Sequence, residues 1–583
     1  MKIRKYVIVL FGLCCIMTTG IKAKVIDKDK VVLWASNPLE KIFQDSPVPK
    51  KVNTKGVFIE ALRNEYEPAQ VCITSVGYQG PVRVKVNPLV HRSGKYKISN
   101  INARFVGYIP TPKGNKKFPF LNAPDAYPDP LILDEEVILK THQTQPVWVT
   151  VKVPKDALPG KYKGNIELIT TTGNVVLPLN LTVYPVTLPE TSKFSLGTWG
   201  GDTKIAELFG VVPRGQWQIG NYTPEFLDFL KNVSIKNRKE HRAMVFSDQP
   251  VWKSEIMTKV FWKDGGYVYD YTLLDKIVST VKEGFHNQFK IIGPGIVYGS
   301  VKGNGGTIDE EKGLLTSKIM VLNSDGSVNT EKSISDISTD DPRYRAFIGD
   351  FFKAMSLHLK EKGWLDKVYF KVLDEPTKAL IAPVLRLNAY IKQVAPDIRL
   401  NATFWEPASA VTMAKAEYID LSIVTTWTME VTPKLPQTVR EETKKGREFW
   451  LYNQTKIAID KPLIHARKVA WLASFYGAKG YMHWAYCFIN PWDNAFHPVL
   501  GFGAHFIVYP DMARKKIVDS IRWEMLRESA EDYDTLYLLK KAGGNSRKFV
   551  KLVKDLSGSE HDPKRFYQIR HKLLRELTRR LSK

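Results

Sequence analysis

The sequence predicts a multidomain protein of β and α/β character: an N-terminal β-sandwich, then a (β/α)8 TIM-type barrel, then a helical C-terminal tail. Three observations predict it. Up to about residue 190 strand follows strand with turn residues between them and no helix of useful length; after Pro189 short apolar strands alternate with segments of helical period; beyond residue 511 the chain is helical in period and basic. A chain of 583 residues is too long for one core, since domains run to roughly 100–200 residues and barrels to about 250. Its 44 % hydrophobic and 11 % aromatic content excludes a disordered chain, which lacks the apolar surface to offset its conformational entropy. The expected division is 24–190 for the sandwich, 191–540 for the barrel and 541–583 for a basic helical extension.

Residues 1–23, MKIRKYVIVLFGLCCIMTTGIKA, place Lys2, Arg4 and Lys5 before an apolar run that ends in small and polar residues. This is the pattern of a secretory signal peptide, with cleavage expected near Ala23. The apolar run is shorter than the roughly 20 residues that span a bilayer, and no later segment is long enough either. A periplasmic or secreted protein without a transmembrane segment is therefore expected. Neither Cys14 nor Cys15 follows the small residue a lipoprotein signal uses, so cleavage is favoured over lipid attachment. The remaining cysteines, Cys72 and Cys487, fall in different domains, which leaves no disulfide framework and no cysteine metal site.

In the sandwich the strands read GVFIEAL, AQVCITS, VRVKV, ARFVGYI and PVWVTVKV, followed by YKGNIELITTTGNVVLPLNLTVYPV, a hairpin expected to turn about Gly173 and Asn174. In the barrel eight candidates follow: FSLGTW (194–199), AMVFS (243–247), KIIGPGIVY (290–298), KVYFKVL (367–373), IRLNATF (398–404), DLSIVT (420–425), EFWLYN (448–453) and GYMHW (480–484). Helices fit between them. Thr223 with Pro224 and Glu225, and Asp341 with Pro342, carry the signature of a cap, a first-turn proline and a following amphipathic run; IHARKVAWLASFYGAKG supplies another helix. A doubly wound open sheet is the rival fold, but GPG at 293–295 and GNGG at 303–306 lack the spacing of a nucleotide fingerprint. They read as turns. A polar insertion over about 301–340 follows the third strand and is expected either to cover the catalytic face or to be disordered. IRWEMLRESAEDYDTLYLL has the spacing of a helix that closes the barrel, and the remainder reads as a short appendage with a solvated charged face.

The net charge of +25 attracts polyanions at long range. No RNA-binding or helix-turn-helix signature accompanies it, so an acidic glycan or cell surface is the expected partner rather than nucleic acid. A surface that only keeps the protein soluble explains the charge equally well.

Residues 367–378, KVYFKVLDEPTK, run as a strand into Asp374, Glu375 and Pro376. Barrel enzymes gather their chemistry where strands end and βα loops begin. Other acidic pairs (Glu135 with Glu136, Glu310 with Glu311, Asp340 with Asp341, Glu531 with Asp532) read mostly as solvated; position singles out Asp374 and Glu375. Side chains alternate along a strand, so both reach one pocket only where the pleat breaks, and Pro376 is expected to break it while biasing Glu375 toward an extended backbone. Burial and mutual repulsion then leave one acid and one anion near neutral pH. Glycosidases that use two opposed carboxyls hold them about 5–5.5 Å or roughly 6.5–9.5 Å apart, a poor match for neighbours in sequence. The pair suits a mechanism in which the 2-acetamido oxygen of the substrate attacks the anomeric carbon. Glu375 is then acid and base, and Asp374 orients the acetamido N–H and stabilises the oxazolinium.

Aromatic residues gather at the same expected mouth: Trp199, Trp405, Trp427, Tyr452, Trp484 and Trp492. Pyranose rings offer apolar faces that such rings cover; any one of them alone reads first as core packing, all of them together less readily so. Asn453 is a candidate hydroxyl or acetamide partner, with solvent exposure as the plain alternative. His483, flanked by apolar residues, reads as a core histidine.

These stretches resemble glycoside hydrolase family 123. The resemblance rests on LWASNPLEKIFQD, ALRNEYEPAQV, YPDPLI and QPVWVTVKVPKDALPGKYKGNIEL in the first domain, and on VLDEP, REFWLYN, KGYMHWAY and IRWEMLRESAEDYDTLYLL in the second. It implies a β-sandwich followed by a (β/α)8 barrel, and a retaining, substrate-assisted β-N-acetylgalactosaminidase acting on glycans such as glycosphingolipid chains, with no cofactor and no metal. The family's consecutive Asp and Glu fall on Asp374 and Glu375, and its strand-seven tyrosine on Tyr452. Trp-Leu-Tyr stands here where the family has Trp-Trp-Tyr, and NQTKIAID replaces a turn rich in cysteine and proline; both departures bear on which sugar is taken. Two rivals stay open: a glycosidase for a different, anionic polysaccharide, and a non-catalytic glycan-binding protein.

Overall fold

The computed structural model describes residues 31–53, 55–111, 124–213, 222–248, 257–295, 308–309, 313–453, 455–488, 496, 503–556 and 562–582. The expected signal at 1–23 lies outside them.

Alternating apolar positions build the first domain. Along Gly173–Thr187 the residues Leu177, Leu179, Leu181 and Val183 are buried while their neighbours are less so, the period-two signature of a sheet with one face on a core. They meet Val147, Val149 and Val151 of Thr144–Lys152 in one apolar cluster. One sheet runs in the order Val31–Ser36, Tyr66–Ser75, Thr144–Lys152, Ile101–Pro110, Ala126–Leu131; the other has Val57–Arg63, Gly173–Thr187, Gly160–Thr170, Gly80–Val86 and Glu136–Leu139 along its main path. The expected hairpin forms two residues early. Thr170 pairs with Gly173, so the turn is Thr171–Thr172, and Gly173 at φ 136° takes the conformation only glycine adopts without strain.

The eight expected barrel strands are all present and close on one another: Ser195–Trp199, Val245–Phe246, Lys290–Gly295, Val368–Lys371, Arg399–Phe404, Leu421–Thr425, Glu448–Asn453 and Gly480–Trp484. Neighbouring strands are parallel. Trp199, Ile292, Tyr369, Leu421, Ile423, Trp450, Tyr452 and Met482 form one cluster contributed by different strands, the filled interior of such a barrel. Helices start where their caps indicate. Thr223 Oγ1 accepts from Phe226 N at 3.3 Å ahead of Pro224–His241, and Asp341 Oδ1 from Arg343 N at 2.8 Å ahead of Pro342–Lys362. The third expected helix divides into Ile464–Arg467 and Val469–Tyr476, ending at Gly477 with φ 87°.

The described part of the 301–340 insertion is folded: Ile308–Asp309, Leu314–Ile319 and Ile334–Ser338 pair as a small sheet. Its Leu315, Ile319 and Ile337 join the apolar cluster of Phe352 and Leu380. A hairpin of Lys259–Lys263 with Gly266–Asp270, not anticipated from sequence, touches it through Phe261 and Leu322.

The helix Ile521–Lys541 is buried along most of its length, charges included. The solvated reading of Glu531 and Asp532 is therefore overturned, as they are 0 % and 1 % exposed. A buried charge needs a partner, and here the partners come from both domains. Arg522 pairs with Asp129 at 2.8 Å and Arg467 with Glu528 at 2.6 Å; Arg570, on the C-terminal helix Pro563–Leu581, meets Glu65 and Glu67 at 2.7 Å each. That last helix buries Leu573, Leu574 and Leu577 and carries exposed Lys564, Arg565, Lys572, Arg575 and Arg579 outward. Among the described residues no helix is long and apolar enough to cross a membrane.

Candidate active site

Strand four ends at Lys371, and three residues on the chain delivers Asp374 and Glu375 to the mouth of the barrel. Glu375 has φ 44°. This corrects the expectation of an extended residue before Pro376: the backbone turns left-handed, a conformation costing about 1–3 kcal/mol outside glycine, and the strand alternation that would separate neighbouring side chains stops there.

Four residues from three further strands and from strand four itself hold the pair. Lys371 Nζ lies 2.8 Å from Asp374 Oδ1. Thr403, inside strand five, donates its hydroxyl to the same Oδ1 and accepts from the backbone N–H of Glu375 at 3.4 Å. Tyr452, in strand seven, donates its hydroxyl to Glu375 Oε1. Trp199, at the end of strand one, stands edge-on to Tyr452 with ring centroids 5.5 Å apart and 5.7 Å from the Lys371 ammonium.

The environment gives the two carboxyls opposite characters. Desolvation pushes Asp374 up, but the charge of Lys371 and the hydrogen bonds from Lys371 and Thr403 outweigh it and hold this carboxyl below its ordinary value. Its side chain is 58 % exposed, walled by the mouth without being covered. For Glu375 desolvation comes first and the charge of Asp374 adds to it; the Tyr452 hydrogen bond and Lys371 oppose them, and the carboxyl stays raised. The two neighbours on one rim are thus biased in opposite directions, Asp374 toward the anion and Glu375 toward the protonated acid. Burial and the neighbouring carboxylates push the Tyr452 hydroxyl well up, so it remains a donor.

The structure brings only some of the residues singled out from the sequence together. Asp374, Glu375, Tyr452 and Trp199 are brought together, with Trp199 and Tyr452 buried and Trp484 packed against the same cluster. Trp484 is partly committed, since its Nε1 donates to His505 Nδ1 at 3.1 Å and its ring lies 5.1 Å from Phe488. Trp405 and Trp427 follow strands five and six and are nearly half exposed, open for stacking; the Thr428 hydroxyl ties their loops through the Trp405 carbonyl. Asn453 is engaged within the protein: its Nδ2 donates to Thr426 Oγ1 at 2.8 Å and its Oδ1 accepts from Lys456 N at 3.3 Å. Trp492 lies outside the described residues. His483 is fully buried and pushed down to about 3 by that burial, a neutral core side chain.

Lys371 and Thr403 are site residues the sequence reading did not single out. A signal existed: in KVYFKVL the inward Tyr369 places Lys371 on the same face two residues on, and a lysine facing a barrel interior is out of character for that position. Among the described residues Glu240, His241 and Asp519 come close enough to one another to share a metal ion. The Lys236 ammonium already sits 2.6 Å from both Glu240 and Asp519, so an internal cation fills that role at the opposite end of the barrel, ahead of strand two.

Comparison with known proteins bears on the fold and the family. The catalytic-domain model of glycoside hydrolase family 123 matches residues 226–539, and the model of its N-terminal domain matches 34–170. Among solved structures, a family 123 glycoside hydrolase from Clostridium perfringens, described in connection with glycolipid glycan hydrolysis, superposes with a TM-score of 0.71 at 15 % identity, covering 94 % of this chain and 98 % of that one. A β-D-glucuronidase of Dictyoglomus thermophilum (TM-score 0.28, 9 % identity, 84 % and 75 % covered) and an endo-β-1,4-mannanase of Thermotoga petrophila (0.35, 13 %, 59 % and 77 %) are far more distant. No curated protein matches the sequence. With its catalytic-domain model spanning more than half of the residues, the chain belongs to glycoside hydrolase family 123.

Proposed function

We propose that this glycoside hydrolase is exported and removes a terminal β-linked 2-acetamido sugar, N-acetylgalactosamine, with retention and with the substrate as its own nucleophile. The observation that carries the reading is the opposite bias of two adjacent carboxyls on one rim, contacted through separate oxygens by Lys371, Thr403 and Tyr452: Asp374 is held below its ordinary value by Lys371 and Thr403, and Glu375 is raised above its own by burial. Neighbours in sequence on one rim are a poor match for the two opposed carboxyls that a carboxylate nucleophile requires, which favours assistance by the substrate.

In this reading Glu375 protonates the glycosidic oxygen as the bond to the leaving group breaks. The acetamido oxygen attacks the anomeric carbon, and the N–H, made acidic as positive charge develops, is held by Asp374. Glu375, now a carboxylate supported by the Tyr452 hydroxyl, takes a proton from water, which opens the oxazolinium with overall retention. Trp405 and Trp427, nearly half exposed, supply apolar surface for pyranose faces. The Clostridium perfringens relative, associated with glycolipid glycans, supports the glycan chain of a glycolipid as the substrate.

A panel of chromogenic β-GalNAc, β-GlcNAc and neutral glycosides tests the reading: hydrolysis confined to 2-acetamido sugars, and inhibition by a thiazoline mimic of the cyclised intermediate, are expected. Turnover of neutral or uronic glycosides alone would overturn it. The net charge of +25 favours a second reading, an anionic polysaccharide as substrate; it requires affinity that falls steeply as salt screens the charge.

A further inference from the structure

Lys371 is 13 % exposed and lies on the inward face of strand four, in register with Tyr369 of the barrel interior. A lysine drawn out of water needs compensation, which it finds in Asp374 at 2.8 Å and in the face of the Trp199 ring at 5.7 Å. It makes no hydrogen bond to Glu375 among the described contacts, so it holds Asp374 directly and reaches Glu375 by charge alone. With the Thr403 hydroxyl it occupies Oδ1 of Asp374, while Oδ2 receives no donor from the described residues. A carboxylate fixed by one oxygen and open at the other presents a directed acceptor, whereas a free aspartate on an exposed rim would sample several rotamers.

We propose that Lys371 is a positioning residue, which anchors Asp374 by its inner oxygen as an anion and thereby aims Oδ2 at the acetamido nitrogen of the substrate. The proposal rests on the 2-acetamido reading above and deepens it by naming what sets the state of the orienting group. Lys371 acts through Asp374 and touches neither the scissile bond nor the leaving group. Its second neighbour is the buried Trp199 ring, whose centroid lies 5.7 Å from the ammonium.

The charge relation specifies the readout. The acid limb of the pH dependence of kcat/KM reports the loss of the Asp374 anion. Removing the ammonium deletes the leading influence that favours this anion, so the acid limb moves to higher pH. In Lys371→Met, activity on the acid side is expected to fall about tenfold or more relative to the optimum of the same variant, while Lys371→Arg, which keeps the charge, restores most of the acid limb. Thermal unfolding of both variants checks that they are folded. A uniform loss across all pH in Lys371→Met, or an Arg variant no better than Met, would overturn the positioning role while leaving the activity itself intact. A wild-type enzyme silent on every 2-acetamido glycoside would instead sink the reading beneath, and this proposal with it.

Discussion

The Tyr452 hydroxyl donates to Oε1 of Glu375, tying strand seven to the residue just past strand four and leaving Oε2 as the oxygen without a donor among the described residues. The bond favours the carboxylate form and so opposes the burial that raises Glu375.

Tyr452→Phe removes that support. The Glu375 carboxyl then rises further, so the alkaline limb of kcat/KM, where the acid loses its proton, moves to higher pH. Turnover falls because the carboxylate formed after protonation loses a partner; a hydrogen bond to a charged group is worth about 1.5–3 kcal/mol, or roughly ten- to a hundredfold. A pH profile of the variant measures both, and an unmoved alkaline limb would detach Tyr452 from the acid.

Glu375→Gln abolishes proton transfer and is expected to lower kcat by about 10²–10⁴ while leaving thiazoline binding largely intact. Asp374→Asn has the other signature: the anion opposite the positive charge is gone, so thiazoline affinity drops along with turnover. Calorimetric titration of both variants separates the two roles, and equal affinities would contradict them.

Stability tests the junction between the domains. Arg522 gives Asp129 a buried pair at 2.8 Å and also satisfies the carbonyls of Ile457 and Gly503 at 2.8 Å each. Arg522→Met leaves Asp129 buried and unpaired by this cation, a loss of about 3–5 kcal/mol. Adding Asp129→Leu recovers part of it, since the charge is gone, and falls short of wild type because the carbonyls stay unsatisfied. Tm values of the single and double variants decide.

Glu531 predicts a pH effect with a definite sign. Burial, followed by repulsion from Glu528, outweighs the pull of Arg242 and holds its carboxyl above the ordinary value. A group raised on folding contributes stability below its unfolded pKa and loses that contribution as pH rises toward the folded one. Glu531→Gln keeps an acceptor for the Tyr66 N–H, now at 3.1 Å, and cannot ionise. Its Tm should match wild type in acid and exceed it increasingly as pH rises above the usual glutamate range; a constant gap across pH would exclude this.

Much of the fold was legible because its strands are short runs of β-branched and aromatic residues between strong breakers; all eight barrel strands fall inside the expected segments. Asp374 and Glu375 stood out by place, at a strand end in a barrel. What escaped notice was set by distant parts of the chain. Lys371 matters only because strands one and five bring Trp199 and Thr403 beside it. Glu375 is left-handed although its following proline favours the opposite, since tertiary contacts outweigh a local preference. Glu531 and Asp532 look like surface acids until helix Ile521–Lys541 is packed into the protein over 521–532.

The buried ion pairs of that helix and of Pro563–Leu581 bind motifs that lie far apart in the sequence: Asp129 of YPDPLI ends on Arg522, Glu65 and Glu67 of NEYEP end on Arg570, and Trp148 and Thr150 donate to Glu524 at 3.1 and 2.8 Å. A barrel excised after Pro189 would carry naked guanidinium groups on its flank, and an excised sandwich would carry orphaned carboxylates. The two halves are thus welded by charge, and whatever fold change tunes the sugar must work through the loops at the mouth while this seam is kept.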